Sequence, residues 1–242
     1  MRCVGAIERV RLAPALSPFI PEAVVLDMDG TLLDTESAYR EAFRAAMARL
    51  GHELDEAFYA RLLGISSRER GPIMRARLGR DFPWEECLRD YRTRKALLLE
   101  GPVRIKRGAA ELLAALAAEG MPCAIATSAG RRTALTALER AGLLPAIRVL
   151  VTRDEVSAGK PDPALFLRAA EALGAAPARC LAVEDSPPGI AAARAAGMRV
   201  VVVPDLLPPG PEAEEAGLTI AADLLEVRAL LRNLRNGEAP TA

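Results

Sequence analysis

Histidine and lysine are scarce in this 242-residue chain: His52 stands alone, and only Lys95, Lys106 and Lys160 are lysines among 32 basic residues. A single histidine disfavours His-dependent triads and His-rich metal centres. With arginine used nearly everywhere else, each lysine is mildly informative, because the two cations differ where a compact point charge is needed. Net charge is zero and there is no basic block, so the electrostatic footprint of a nucleic-acid binder is missing. No apolar run approaches the ~20 residues of a membrane span. The four cysteines, Cys3, Cys87, Cys123 and Cys180, are widely spaced and form no zinc or redox motif. That usage suits reduced thiols in a cytoplasmic compartment. No P-loop is present either, because Gly159-Lys160 is followed by Pro161 and lacks its upstream glycine. Residues 1–20 read as an extension: Glu8, Arg9 and Arg11 interrupt any signal-peptide core, and Pro14, Pro18 and Pro21 break helix.

What is present centres on Val24 to Thr35, reading Val-Val-Leu-Asp-Met-Asp-Gly-Thr-Leu-Leu-Asp-Thr. The apolar start predicts a buried strand that delivers Asp27 and Asp29 to a turn opened by Gly30 and Thr31. Residues i and i+2 of an extended segment share a side. Two carboxylates that close need a cation between them or a share in acid–base chemistry.

A helix follows, with Asp34, Thr35 and Ser37 as candidate N-caps and Tyr39, Phe43, Met47 and Leu50 at helical spacing up to Gly51. Three more helical stretches are expected at 54–63, 67–78 and 84–99, punctuated by Gly64, Gly71-Pro72 and Phe82-Pro83. The aromatics concentrate in this block and read mainly as its core, with one or two facing a pocket. From Gly101-Pro102 onward the pattern alternates. Helices at 108–119, 130–141, 163–173 and 187–196 are interleaved with apolar strands at 122–126, 147–151, 180–183 and 199–203. A loop at 204–211 and a last helix at 222–234 follow. Strands alternating with helices predict an α/β fold with a parallel sheet covered on both faces. The expected organisation is an α/β core over 21–36 and 101–234, an inserted all-α block over 37–100, and a tail over 235–242.

In such a sheet, ligands bind beyond the carboxyl ends of the strands. Those ends carry Asp27 and Asp29, Thr127 and Ser128, and Glu184-Asp185-Ser186, with Lys160 in the loop after the 147–151 strand. The set suits phosphoryl transfer. Asp27 and Asp185, with a backbone carbonyl and waters, make a hard oxygen site for Mg²⁺. Asp27 is the candidate nucleophile, Asp29 the acid and base, and Thr127 and Lys160 the contacts to phosphoryl oxygens.

Asp27-Met28-Asp29-Gly30-Thr31, Thr127, Lys160 and Glu184-Asp185 resemble, in order and context, the motifs of the haloacid dehalogenase superfamily over roughly residues 22–205. The resemblance implies a Rossmann-like core whose inserted helical cap closes over a Mg²⁺ site. It implies the roles above, phosphate contacts from Thr127, Ser128 and Lys160, and metal residues drawn from Asp27, Asp29, Asp185 and Glu184, with Glu184 tuning the shell. True dehalogenases lack the second aspartate, so Asp29 argues against carbon–halogen chemistry. Within the family, Leu62 to Arg68 and Glu184 to Ile190 look like the β-phosphoglucomutase and phosphosugar-phosphatase group. Tyr39 stands where the mutase has histidine, and Ser67 where it has a cap arginine. Hydrolysis of a small phosphorylated metabolite by a monomer is therefore the expectation, with a mutase as the alternative. A non-catalytic binding member is disfavoured by the intact motifs. Lys95 is a poor candidate for a Schiff-base lysine, and Arg68 and Arg104 to Arg107 are candidate anion contacts better explained as surface.

Overall fold

The computed structural model describes residues 19–206 and 217–236. Residues 1–18 of the extension expected over 1–20, part of the 204–211 loop and the end of the tail lie outside the described residues. β1 (Ala23–Leu26), β2 (Cys123–Thr127), β3 (Val149–Thr152), β4 (Cys180–Glu184), β5 (Arg199–Val202) and β6 (Thr219–Ile220) form one sheet. Every pairing is parallel, in the order β3-β2-β1-β4-β5-β6. Alternation along β1 splits its side chains: Val24 and Leu26 enter one core, Ala23 and Val25 the other. The first core is closed by α5 (Ala109–Ala118), α6 (Arg131–Arg140) and α9 (Leu224–Asn236), the second by α7 (Ala164–Leu173) and α8 (Pro187–Ala195). A strand buried on both faces must be apolar throughout, which is why these runs lack polar alternation.

Between β1 and β2 lie α1 (Glu36–Arg49), α2 (Glu56–Ala60), α3 (Ser67–Leu78) and α4 (Trp84–Leu98). They share a separate core in which Phe43, Tyr59, Trp84 and Tyr91 are buried together. Two connectors join this unit to the sheet side by side, with Asp34 N donating to Arg104 O and Lys106 N to Leu32 O, each at 2.9 Å.

Four local expectations need correction. α2 is shorter than 54–63, because Asp55 caps it through Ala57 N and Phe58 N and the chain turns after Ala60. Gly71-Pro72 does not interrupt α3: proline forfeits one backbone bond, and the missing Cβ of Gly71 leaves room for the Trp84 ring. β6 was not expected, since two residues carry no period. α9 runs two residues past 234, where Arg235 bonds Glu119 at 2.5 Å.

Candidate active site

The sheet order reverses at β1. The chain proceeds outward through β2 and β3, then returns to place β4 on the other side of β1. Ligand crevices form at such a switch point. Asp27 N bonds Val183 O at 3.0 Å, extending the ladder one residue and setting Asp27 beside the end of β4. Gly30, at φ +85°, turns the chain there, and a Cβ on it would lie 2.3 Å from an Asp185 carboxylate oxygen. Only glycine accommodates both that angle and that approach.

Lys160 is almost wholly buried. Its ammonium contacts Asp27 Oδ1 and lies 2.5 Å from Glu184 Oε1. Burial works against its charge, yet the Asp27 and Glu184 carboxylates outweigh burial and hold it above the ordinary lysine range. Asp27 is pushed up to about 8, first by burial and then by Glu184 and Asp29, with Lys160 pulling the other way. Burial, then Glu184 and Asp27, also raises Asp185 well above the carboxylate range, against a 2.9 Å bond from Thr31 Oγ1. Three acids facing one ammonium cannot all ionise cheaply, which is why Asp27 and Asp185 are raised.

Asp27, Glu184 and Asp185 each offer an oxygen, all within 4.8 Å of one another, so the donor set suits a hard divalent cation. Glu184 differs from the other two. Its Oε1 accepts from Lys160, and its Oε2 accepts from Asp185 N, Ser186 N and Ser186 Oγ at 2.8–3.0 Å. Asp29 accepts a 2.7 Å bond from Thr35 Oγ1, so Thr35 occupies the N-cap position of α1 without capping it.

Above these groups is a cavity of about 1010 Å³ between sheet and helices. Asp27, Asp29 and Thr127 form its floor, and Glu36, Tyr39, Arg70, Tyr91 and Lys95 part of its roof. Thr127 Oγ1 accepts from Ala129 N at 3.0 Å, which leaves its own proton to donate into the cavity. Ser128 also lines the cavity, but its hydroxyl donates to Gly64 O at 2.7 Å, across to the helical unit. Of the basic residues considered from sequence, Arg68 and Lys95 reach the cavity. Arg104 and Arg107 are exposed and paired with Asp34 and Asp223, while Lys106 pairs with Asp205.

Among the roof residues, Glu36 and Arg70 carry no sequence signal, whereas Tyr39 and Lys95 stand out in the sequence without their pairing being readable. Glu36 Oε2 and Tyr39 OH are buried without a hydrogen-bond partner. Glu36 is pushed up to about 7, by burial first and by Asp29 second. Lys95 Nζ sits 3.4 Å from the centre of the Tyr39 ring, a cation–π contact that keeps a charge in the roof. These residues face one another through the fold of α1 and α4, which helical spacing alone does not reveal.

The family profile that matches residues 21–197 is that of the haloacid dehalogenase-like hydrolases. The chain belongs to that family. It is 32% identical to the phosphorylated carbohydrates phosphatase of Thermotoga maritima, over 88% of this chain and 99% of that protein. Among solved structures, a hydrolase from Pseudomonas syringae superposes with TM-score 0.77 at 30% identity, over 90% of this chain and 99% of that one. CbbY from Rhodobacter sphaeroides, solved with phosphate, superposes with TM-score 0.67 at 30% identity, over 77% and 88%. The α/β core with its inserted helices is thus the fold of haloacid dehalogenase-like hydrolases.

Proposed function

We propose that this haloacid dehalogenase-like hydrolase cleaves small phosphate monoesters with Mg²⁺, through a phosphorylated Asp27. The observation that carries the reading is that Asp27 contacts Lys160 and lies within 4.8 Å of the Asp185 carboxylate, at the floor of a cavity between sheet and helices. Similarity to a phosphatase acting on phosphorylated carbohydrates supports the substrate class.

Asp27 and Asp185 would hold the metal, with Asp29 contributing through its backbone. Bound Mg²⁺ supplies positive charge that favours ionised carboxylates and screens the phosphoryl oxygens. The ionised Asp27 carboxylate attacks phosphorus, and the bond to the ester oxygen breaks. Asp29, carried two residues on, gives the departing alkoxide its proton. The same carboxylate then takes a proton from water as that water attacks phosphorus, and Asp27 leaves as a free carboxylate. The Lys160 ammonium and the Thr127 proton hold the phosphoryl oxygens through both halves. Glu184 tunes the site by fixing Lys160.

The polar groups that line the roof, Glu36, Tyr39, Arg70 and Lys95 among them, suit a hydroxyl-rich alcohol, which together with the similarity to a phosphatase of phosphorylated carbohydrates supports a phosphosugar. Zero net charge argues against nucleic-acid substrates, and no described helix is long and apolar enough to cross a membrane. Cys87, Cys123 and Cys180 are free thiols, consistent with a monomer working in the cytoplasm.

The test is phosphate release from a panel of phosphosugars, an aryl phosphate and a phosphodiester, with Mg²⁺ and with EDTA. The reading expects Mg²⁺-dependent release, fastest on a phosphosugar and absent from the diester. Release that EDTA leaves untouched would refute it.

A further inference from the structure

Arg153, the residue after β3, is buried at the edge of the cavity, and its hydrogen bonds go to Glu69, Val156 O and Ser157 O rather than to the acid cluster. Its Nε lies 3.0 Å from Glu69 Oε1 on α3, and Nη2 contacts the same oxygen. Its Nη1 donates to Val156 O at 2.7 Å, and Nη2 also reaches Ser157 O at 3.3 Å. One rigid guanidinium therefore grips a carboxylate of the helical unit and two carbonyls of the segment that leads into Lys160. The grip is close: a Cβ on Gly159, the residue before Lys160, would lie 2.9 Å from Arg153 Nε and 3.0 Å from Glu69 Oε2. Glu69 Oε2 in turn accepts from Ser66 Oγ, the N-cap of α3. From the end of β2, Ser128 holds Gly64 O in the same turn at 2.7 Å. Residues just past β2 and β3 thus both hold residues 64–69 of the helical unit.

We infer that Arg153 is a positioning residue that couples closure of the helical unit to the seating of Lys160 against Asp27. Among the described residues, Glu69 is the carboxylate that pairs with Arg153. A buried guanidinium deprived of its counter-charge is strongly unfavourable, so it turns toward water when that carboxylate moves away. Its hold on Val156 O and Ser157 O then relaxes, and the segment that presents Lys160 loosens. The charge that the phosphoryl group needs is firmest when water is shut out, which ties catalytic competence to the closed state. The kinetic consequence rests on the hydrolase reading; the coupling itself does not.

The test is hydrogen exchange on the full chain for wild type, Glu69→Gln and Arg153→Lys, read separately over residues 64–69 and 156–160, alongside kcat and KM. Glu69→Gln lies on the helical unit, yet the coupling predicts exchange about tenfold faster across 156–160 as well as 64–69. Arg153→Lys keeps the charge and loses the fork, and should reproduce the effect. In both variants kcat falls about tenfold, more than KM changes, because Lys160 acts in the transition state. Faster exchange confined to 64–69, with 156–160 as protected as in wild type, would reduce the pair to a surface clasp and overturn the inference. The exchange measurement needs no turnover, so absence of phosphatase activity in the wild type would sink the proposed function and leave this test standing.

Discussion

Lys160 Nζ lies 2.5 Å from Glu184 Oε1, and that carboxylate is entirely buried. Glu184 thereby holds the ammonium from behind, while its other oxygen ties down the turn that presents Asp185. A charge fixed in this way is preorganised for the phosphoryl group, with no side-chain reorganisation left for the reaction.

Lys160→Met is expected to lower kcat on the order of 100- to 1,000-fold, by removing the fixed cation. Three buried acids are then left facing one another, so denaturant unfolding in EDTA should show a loss of about 3–5 kcal/mol. A variant that keeps wild-type kcat would remove Lys160 from the phosphate site.

Asp185→Asn should leave the fold intact and raise the Mg²⁺ concentration for half-maximal activity by on the order of tenfold or more. Titrating activity against Mg²⁺ measures this directly. An unchanged midpoint would place the metal elsewhere.

Glu36 gives a pH signature. Its carboxyl is raised from an ordinary 4.5 to about 7, so the folded protein holds this proton more tightly than the unfolded chain does. Stability is therefore lost as pH rises from the unfolded value through the folded one, and the loss is complete above it. Glu36→Gln removes that penalty. Denaturant unfolding at about pH 8 should find the variant more stable by on the order of 2–3 kcal/mol, with the gap closing toward about pH 4. A gap that widens toward acid would contradict the assignment.

Phe43 is fully buried, with the Tyr91, Tyr59 and Trp84 rings 5.3, 5.8 and 6.3 Å from its own. Phe43→Ala should cost about 3–5 kcal/mol, measured by denaturant unfolding. A loss below about 1 kcal/mol would mean that this aromatic cluster is not the core of the helical unit.

Lys160 is legible because it is a rare lysine in the loop after β3, and Asp27, Asp29, Thr127 and Asp185 because each sits at or near a strand end, where local pattern and parallel-sheet topology together locate it. The sheet itself was legible for the same reason, as apolar runs alternating with helices. Contacts across the cavity were not. Arg153 and Glu69 are 84 residues apart, and nothing in either neighbourhood marks the pairing. The family resemblance implies Ser128 as a phosphate contact, while its hydroxyl donates to Gly64 O, a partner that exists only once the helices pack over the sheet. Thr35 is one of three candidate caps in the sequence and takes the N-cap position, but its hydroxyl serves Asp29 instead. In both cases the backbone position was readable and the hydrogen-bond direction was not, because direction depends on tertiary neighbours. β6 escaped because two residues carry no period, and the end of α9 because its last turn is held by Glu119 from a distant helix end.

The most direct test of the account is phosphate release from a phosphosugar in Mg²⁺ by wild type and Asp27→Asn, with circular dichroism confirming that both are folded. The account predicts turnover by the wild type and none detectable by the variant, because an amide cannot form the phosphorylated aspartate. Turnover by the folded variant at a rate near wild type would contradict it and remove Asp27 as the nucleophile.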